Sequence, residues 1–210
     1  MEKVILNNDI VTRQNICIDM EDRGYQFGDG VYEVIRVYEG VLFQLDAHID
    51  RLYESADKIK ITIPFQKDDV KERLKALVSE NDLQLGIVYM QLTRGVSTRT
   101  HVFPGPQTFP VFTAYTRSLE VPESQLADGV KTMITEDIRW LRCDIKSLNL
   151  LPNILAKEEA KQSGYDEAVF ERNGMITEGA SSNIFIVANN TIKTHPATNL
   201  ILNGITRQII

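Results

Sequence analysis

Cysteine is nearly absent: Cys17 and Cys143 are the only two in 210 residues, too few for a disulfide framework. They do not form a CxxC pair and both have apolar neighbours, so two free, buried thiols are expected. Histidine is as scarce. His48, on a predicted helix, and His195, before Pro196, have no partner at metal-ligand spacing, and no metal is expected. No Lys/Arg cluster stands out and the net charge is -6, which speaks against a nucleic-acid partner. No apolar run is long enough to span a bilayer, and the opening residues 1–8 lack the apolar core of a signal peptide. No membrane partner is expected, and a cytoplasmic location follows by default. Internal repeats and low-complexity tracts are also missing. What is present, 43% hydrophobic and 25% charged residues, is the composition of a soluble globular protein of one or two domains.

The first half alternates strand signals with punctuation. Residues 31–38 and 41–43 read as strands around a Glu39-Gly40 turn. Asp46 reads as an N-cap for a helix carrying Ile49, Leu52, Tyr53, Ala56 and Ile59 on one face. A second helix over 68–80 is expected to be capped by Asp68 or Asp69, with Val70, Leu74, Leu77 and Val78 inward. Strands over 86–93 and 109–116 flank a Gly/Pro-bearing loop that holds Arg94, Arg99 and His101.

A polar, weakly periodic stretch then suggests a linker at 119–128 between an N-terminal α/β domain (1–118) and a C-terminal domain (129–210). The latter reads as a strand over 130–136, an apolar run over 140–151, and a helix over 151–162 with Pro152 in its first turn. Strands at 167–171, 175–177, 183–187 and 191–193 follow, with Asn173-Gly174 and Asn189-Asn190 as hairpin turns. Residues 204–210 read as the first turns of a helix that stops at two apolar residues, so this domain is expected to be incomplete.

Lys146 is the most informative residue. It lies in the run Trp140-Leu141-Arg142-Cys143-Asp144-Ile145-Lys146-Ser147-Leu148-Asn149-Leu150-Leu151. Burial among Ile, Leu and Trp is expected to favour its free amine, a nucleophile for a carbonyl cofactor such as pyridoxal 5′-phosphate (PLP). A lone lysine in a strand is more often an edge residue with its head in water, so the case rests on its company. A PLP site also needs an acidic partner for the pyridine nitrogen, anion donors for the phosphate and a grip on a carboxylate. Glu178, after a short strand, fits the first need. Ile205 and Thr206, at a helix start behind Gly204, fit the second, and Arg51 adds a cation. Each is also explained singly as an ordinary turn, cap or surface residue.

Together these segments resemble the class IV PLP aminotransferases. The likeness is carried by Asp22-Arg23-Gly24-Tyr25-Gln26-Phe27-Gly28-Asp29-Gly30-Val31-Tyr32-Glu33, His48-Ile49-Asp50-Arg51-Leu52 and Asp144-Ile145-Lys146-Ser147-Leu148-Asn149. It continues through Thr177-Glu178-Gly179-Ala180-Ser181-Ser182-Asn183 and Ile201-Leu202-Asn203-Gly204-Ile205-Thr206-Arg207. Within that class it is most similar to the D-amino-acid aminotransferases. The resemblance implies a mixed α+β and α/β, two-domain fold of type IV, a C-terminal PLP-binding domain continued by several dozen further residues in relatives, and a homodimer. It also implies roles. Lys146 would be the catalytic lysine that carries the cofactor, Glu178 the ring-nitrogen partner, and Arg51, Ile205 and Thr206 the phosphate ligands. Tyr32 would lie beside the substrate, and Arg99 and His101 would trap the α-carboxylate, reaching the site of the partner subunit. Arg94 is a lesser rival for the trap. Trp140 and Leu202 are expected to wall the cofactor ring, and a core-packing role explains them equally well. The implied reaction moves an amino group from a D-amino acid such as D-alanine to a 2-oxo acid such as 2-oxoglutarate. Two other readings remain: a branched-chain L-aminotransferase or PLP lyase of the same fold, and a truncated fragment without turnover.

Overall fold

The computed structural model describes all residues 1–210. Alternation organises the first unit. In β3 (Gly30–Tyr38), Val31, Glu33, Ile35 and Val37 are buried while Tyr32, Val34 and Arg36 are half-buried, the period of two that a one-sided sheet demands. β3 pairs with β4 (Val41–Leu42) and β5 (Leu85–Thr93), setting Tyr32 opposite Gln91; β5 pairs with β6 (Val111–Ser118). β1 (Lys3–Leu6) and β2 (Asp9–Thr12) complete the order β2-β1-β6-β5-β3-β4. Every pairing is antiparallel, so of the two fold labels α+β describes this unit.

Helices α2 (Leu45–Lys58) and α3 (Lys67–Glu80) lie on the buried face, with Ile49, Leu52 and Ala56 from α2 and Val70, Leu74 and Leu77 from α3 in the core. Burying each larger apolar side chain contributes about 1.5–3 kcal/mol. The expected caps are corrected. α2 starts after Gln44 in the left-handed region and α3 after Gln66, neither with a side-chain cap. Asp46, Asp68 and Asp69 lie instead inside the first turns, where their charge opposes the positive end of the helix dipole.

A short helix, α1 (Arg23–Phe27), escaped the sequence reading because five residues carry no period. It is held by buried Asp22, which accepts from the Gly24 and Tyr25 N–H groups at 2.8 and 3.4 Å and from the Thr93 hydroxyl at 2.7 Å. Asp22→Ala would leave three donors, the Thr93 hydroxyl among them buried, without this acceptor, and a loss of about 2 kcal/mol in urea-melt stability is expected. Cys17, expected to be buried, is free but exposed: it follows a 3-10 turn at Arg13–Asn15 in a chain segment that joins no sheet.

The first compact unit comprises residues 1–120 together with 146–149; the second comprises 121–145 and 150–210. The expected linker contains α4 (Glu123–Asp128), a helix with no buried side chain, formed from good helix formers after Pro122. β7 (Thr132–Glu136) runs parallel to β8 (Glu167–Arg172), connected through α5 (Leu151–Gln162). β9 (Met175–Gly179) returns antiparallel after Asn173-Gly174, whose φ values of 53° and 80° are those of a tight hairpin turn. Ala156, Ala160, Ala168, Phe170 and Ala180 form this unit's small core. β10 (Phe185–Ala188) and β11 (Thr191–Thr194) make a separate hairpin, and α6 (Ile205–Ile209) follows.

The apolar run around Lys146 does not behave as a buried strand. Trp140, Leu141 and Leu151 are 43%, 60% and 66% exposed, and only Cys143 and Ile145 among its larger apolar residues are buried. Hydrophobicity marked the segment, but its irregular backbone turns alternate side chains outward.

Candidate active site

Residues 146–149 are stitched to the start of β3. The Tyr32 N–H donates to the Lys146 carbonyl at 3.0 Å, the Leu148 N–H donates to the Gly30 carbonyl at 3.1 Å, and Val31 bridges Ser147. The Lys146 N–H donates to the hydroxyl of buried Ser55, on α2, at 3.3 Å. These bonds fix the lysine backbone and set its half-buried side chain over an aromatic face, with Nζ 4.2 Å from the Tyr32 ring centroid. The cover expected from Trp140 and its neighbours is supplied by Tyr32, from a different part of the sequence.

On the opposite face of β3 lies Glu33, fully buried. Arg51 grips it through Nε and Nη2 at 2.6 and 2.9 Å, and His48 Nδ1 lies 2.8 Å from its Oε2. Burial raises the Glu33 pKa, but hydrogen bonds from Arg51 and His48 and the charges of Arg51 and Lys146 outweigh it and hold the carboxyl below its ordinary value. Sequence reasoning missed Glu33. Its signal was an acid at an inward position of an alternating strand, beside Tyr32.

Arg99 and His101 are exposed on their loop, gathered around one ring: the Arg99 and Arg23 guanidinium carbons lie 4.9 and 4.8 Å from the Phe27 centroid, and the His101 ring 5.7 Å. Arg23 Nη1 donates to the Thr100 carbonyl at 2.7 Å, pinning the turn between them. A cleft of about 270 Å3 is lined by Arg23, Phe27, His101, Ser147 and Asn149, among others. Arg94 is committed elsewhere: its Nε and Nη2 grip Asp29 at 2.8 and 2.9 Å, and Nη1 donates to the Lys60 carbonyl at 2.9 Å. All three side-chain nitrogens of Arg94 therefore have partners within the fold.

In the second unit, Glu178, next to last in β9, lies in a buried polar cluster that the sequence did not disclose. Its Oε1 accepts from Arg139 Nη1 at 2.5 Å; its Oε2 accepts from the Leu202 N–H at 3.0 Å and from Asn183 Nδ2 at 3.2 Å. Burial raises the Glu178 pKa, and the Arg139 contact offsets part of that rise. Asn183 also donates to the Leu202 carbonyl at 2.9 Å, tying Glu178 to the turn that precedes α6. Gly204 opens that helix with no side-chain cap, and a Cβ there would meet the Asn183 side-chain Oδ1, so a larger residue would press the Asn183 amide away from its bonds to Glu178 and Leu202. Ile205, buried, and Thr206, exposed, form the first turn.

Residues 30–210 match the family "Amino-transferase class IV". The chain belongs to the class IV aminotransferases. Among curated relatives, the D-alanine aminotransferase of Listeria monocytogenes serotype 1/2a (strain 10403S) is 51% identical over 99% of this chain and 73% of its own length. That of Bacillus licheniformis is 50% identical over 98% of this chain and 72% of its own. Among solved structures, the Escherichia coli branched-chain amino acid aminotransferase superposes with a TM-score of 0.88 at 22% identity, covering 99% of this chain and 72% of that one. This likeness shows the fold, the fold type IV architecture. Class IV aminotransferases use PLP.

Proposed function

We propose that this class IV aminotransferase takes an amino group from a D-amino acid, D-alanine foremost, and passes it to a 2-oxo acid such as 2-oxoglutarate, giving pyruvate and D-glutamate. The observation that carries the reading is the amine of Lys146 seated on Tyr32 by a backbone stitched to β3. The D-alanine assignment draws on the two relatives of that name at about half identity. The residues present fit PLP. Lys146 offers an amine on a fixed backbone, Glu178 a buried carboxylate whose partners are all donors, and Gly204 a start to α6 with no capping side chain.

Bound PLP supplies a carbonyl carbon and a protonated ring that takes up negative charge from the substrate α-carbon. Lys146 holds the cofactor and moves the proton between that α-carbon and cofactor C4′. Glu178 keeps the proton on the ring nitrogen, while Arg51, Ile205 and Thr206 hold the phosphate. The grip of Glu33 on two guanidinium nitrogens fixes the plane in which Arg51 donates. Tyr32 packs beside the substrate, and Arg99 and His101 bind its α-carboxylate; the face thus presented to Lys146 sets the stereochemistry. The same reading makes the enzyme a cytoplasmic homodimer that feeds cell-wall precursors, with Arg99 and His101 reaching the partner's site; light scattering checks the dimer. No helix is long and apolar enough to cross a membrane.

The test is an absorbance spectrum of the PLP-loaded protein before and after D-alanine and, separately, L-leucine. Loss of the PLP band with D-alanine alone is expected. Loss with L-leucine alone would move the assignment to the branched-chain enzymes, and no cofactor band would overturn it. Arg99→Ala is expected to keep the band and raise KM for D-alanine by roughly 10- to 100-fold, the loss of one charge-assisted grip.

A further inference from the structure

Three charged side chains are buried together in the second unit, Asp137 and Arg139, just past β7, and Glu178 on β9, with half-buried Arg172 beside them at the end of β8. Arg139 is the hub. Its Nε donates to Asp137 Oδ1 and its Nη2 to Asp137 Oδ2, both at 2.9 Å, so a two-point clamp sets the guanidinium plane. The Phe170 ring lies 4.4 Å from its central carbon, and the Leu200 carbonyl accepts from Nη2 at 3.2 Å. Arg172 Nη2 lies 3.0 Å from Asp137 Oδ1, and the Thr177 hydroxyl donates to Asp137 Oδ2 at 3.1 Å. With its plane fixed, Arg139 directs Nη1 at Glu178 Oε1.

We infer that Arg139 is a positioning residue for Glu178: locked onto Asp137, it holds the Glu178 carboxylate ionised and in place to keep the cofactor's ring nitrogen protonated. The inference rests on the role proposed for Glu178 above. All three groups bonded to this carboxylate are donors, so its hydrogen-bond partners suit the anion and none accepts a carboxyl proton. Burial alone works the other way and raises the Glu178 pKa, and the nearby Asp137 charge adds to the rise. Arg139 is the cation that opposes both. The other titratable neighbour, the Cys143 thiol, is pushed up to about 11 by burial and stays neutral at working pH. A guanidinium in this place acts on the chemistry without touching substrate. It lets Glu178 remain an anion in a site dry enough for the charge to matter.

The experiment compares PLP-loaded wild type, Asp137→Asn/Arg139→Gln and Arg139→Lys in the half-reaction with D-alanine across pH, and also reads the absorbance of the bound cofactor against pH before D-alanine is added, which is expected to titrate at a different pH in the double variant than in wild type. The double variant removes one buried charge of each sign, so the net charge of the cluster is kept, and Glu178, left without its cation, relieves its burial by taking up a proton. Its half-reaction is expected to be about 10- to 100-fold slower at neutral pH, the loss of one charge-assisted bond. The acid limb of its pH profile should move to higher pH, with half-saturation by D-alanine changed less than about threefold. Arg139→Lys keeps the cation and is expected to regain at least half of the loss on a logarithmic scale; its acid limb should move less. A double variant within twofold of wild type at every pH would overturn the inference, as would a lysine variant no faster than the double variant. Should the double variant not fold, Arg139→Gln alone takes its place, and an acid limb that stays at the wild-type position overturns the inference. Glu178→Gln, run alongside, separates the two ideas. If it reacts normally, the role of Glu178 fails; if it is slow while the double variant is normal, only the role of Arg139 fails.

Discussion

Lys146→Ala is expected to abolish turnover of D-alanine, slowing the half-reaction by about 10^4-fold or more, while the first unit keeps its melting profile. Positioned proton transfer contributes roughly 10^2- to 10^4-fold, and the same side chain is proposed to carry the cofactor, so both contributions vanish together. The fold is spared because the bonds that place this residue are made by its backbone: the carbonyl to the Tyr32 N–H and the N–H to the Ser55 hydroxyl. Rapid-mixing absorbance with D-alanine measures the first claim and circular dichroism the second. Retention of more than about a hundredth of the wild-type rate would remove Lys146 from its role. Added methylamine is expected to restore part of the rate, since a free amine then stands where the side chain stood.

Glu33→Ala is expected to cost the first unit about 3–5 kcal/mol, among the largest losses open to a single surface-distant substitution there. The carboxylate is wholly buried and receives Arg51 on both oxygens; deleting it strands a guanidinium and the His48 ring without their anion. Replacing the pair with apolar residues of like volume, Glu33→Met with Arg51→Met, is expected to recover most of that stability while still weakening PLP binding, because burying two charges is itself costly. Urea denaturation followed by equilibrium dialysis with PLP reads both. A double variant that binds PLP as tightly as wild type would show that Arg51 is structural.

The pH dependence of stability has two opposed parts. Folding lowers the Glu33 pKa below its ordinary 4.5, so the folded protein binds the proton less tightly than the unfolded chain. Its contribution is complete above pH of about 4.5 and is lost as pH falls through the depressed folded value. Asp137 behaves likewise: burial raises its pKa, but the hydrogen bonds from Arg139 and Arg172 outweigh this and hold it at about 2. Glu178 carries the opposite sign. Its raised folded value contributes stability below pH of about 4.5 that is lost as pH rises through that value.

What the sequence carried was local and periodic. The span of α5 (Leu151–Gln162) was readable to the residue, because Pro152 suits a first turn and Gly164 follows the end. The alternation of β3 and the tight turns at Asn173-Gly174 and Asn189-Asn190 were equally plain, since φ above zero is tolerated by few residues. Lys146, Glu178, Arg51 and Tyr32 were nameable as candidates from ordered motifs, and their roles are those proposed above. The apolar run around Lys146 misled because hydrophobicity records what a side chain prefers, and an irregular backbone leaves Trp140 and Leu141 outside regardless.

Only the tertiary structure decided which charges meet. Glu33 finds Arg51 across 18 positions and Arg139 finds Glu178 across 39, separations at which no periodicity survives. Local sequence sets the backbone through short-range sterics and one-turn hydrogen bonds. The partner of a buried ion is set by which elements pack over it, and that follows from the collective burial of surfaces distant in the chain.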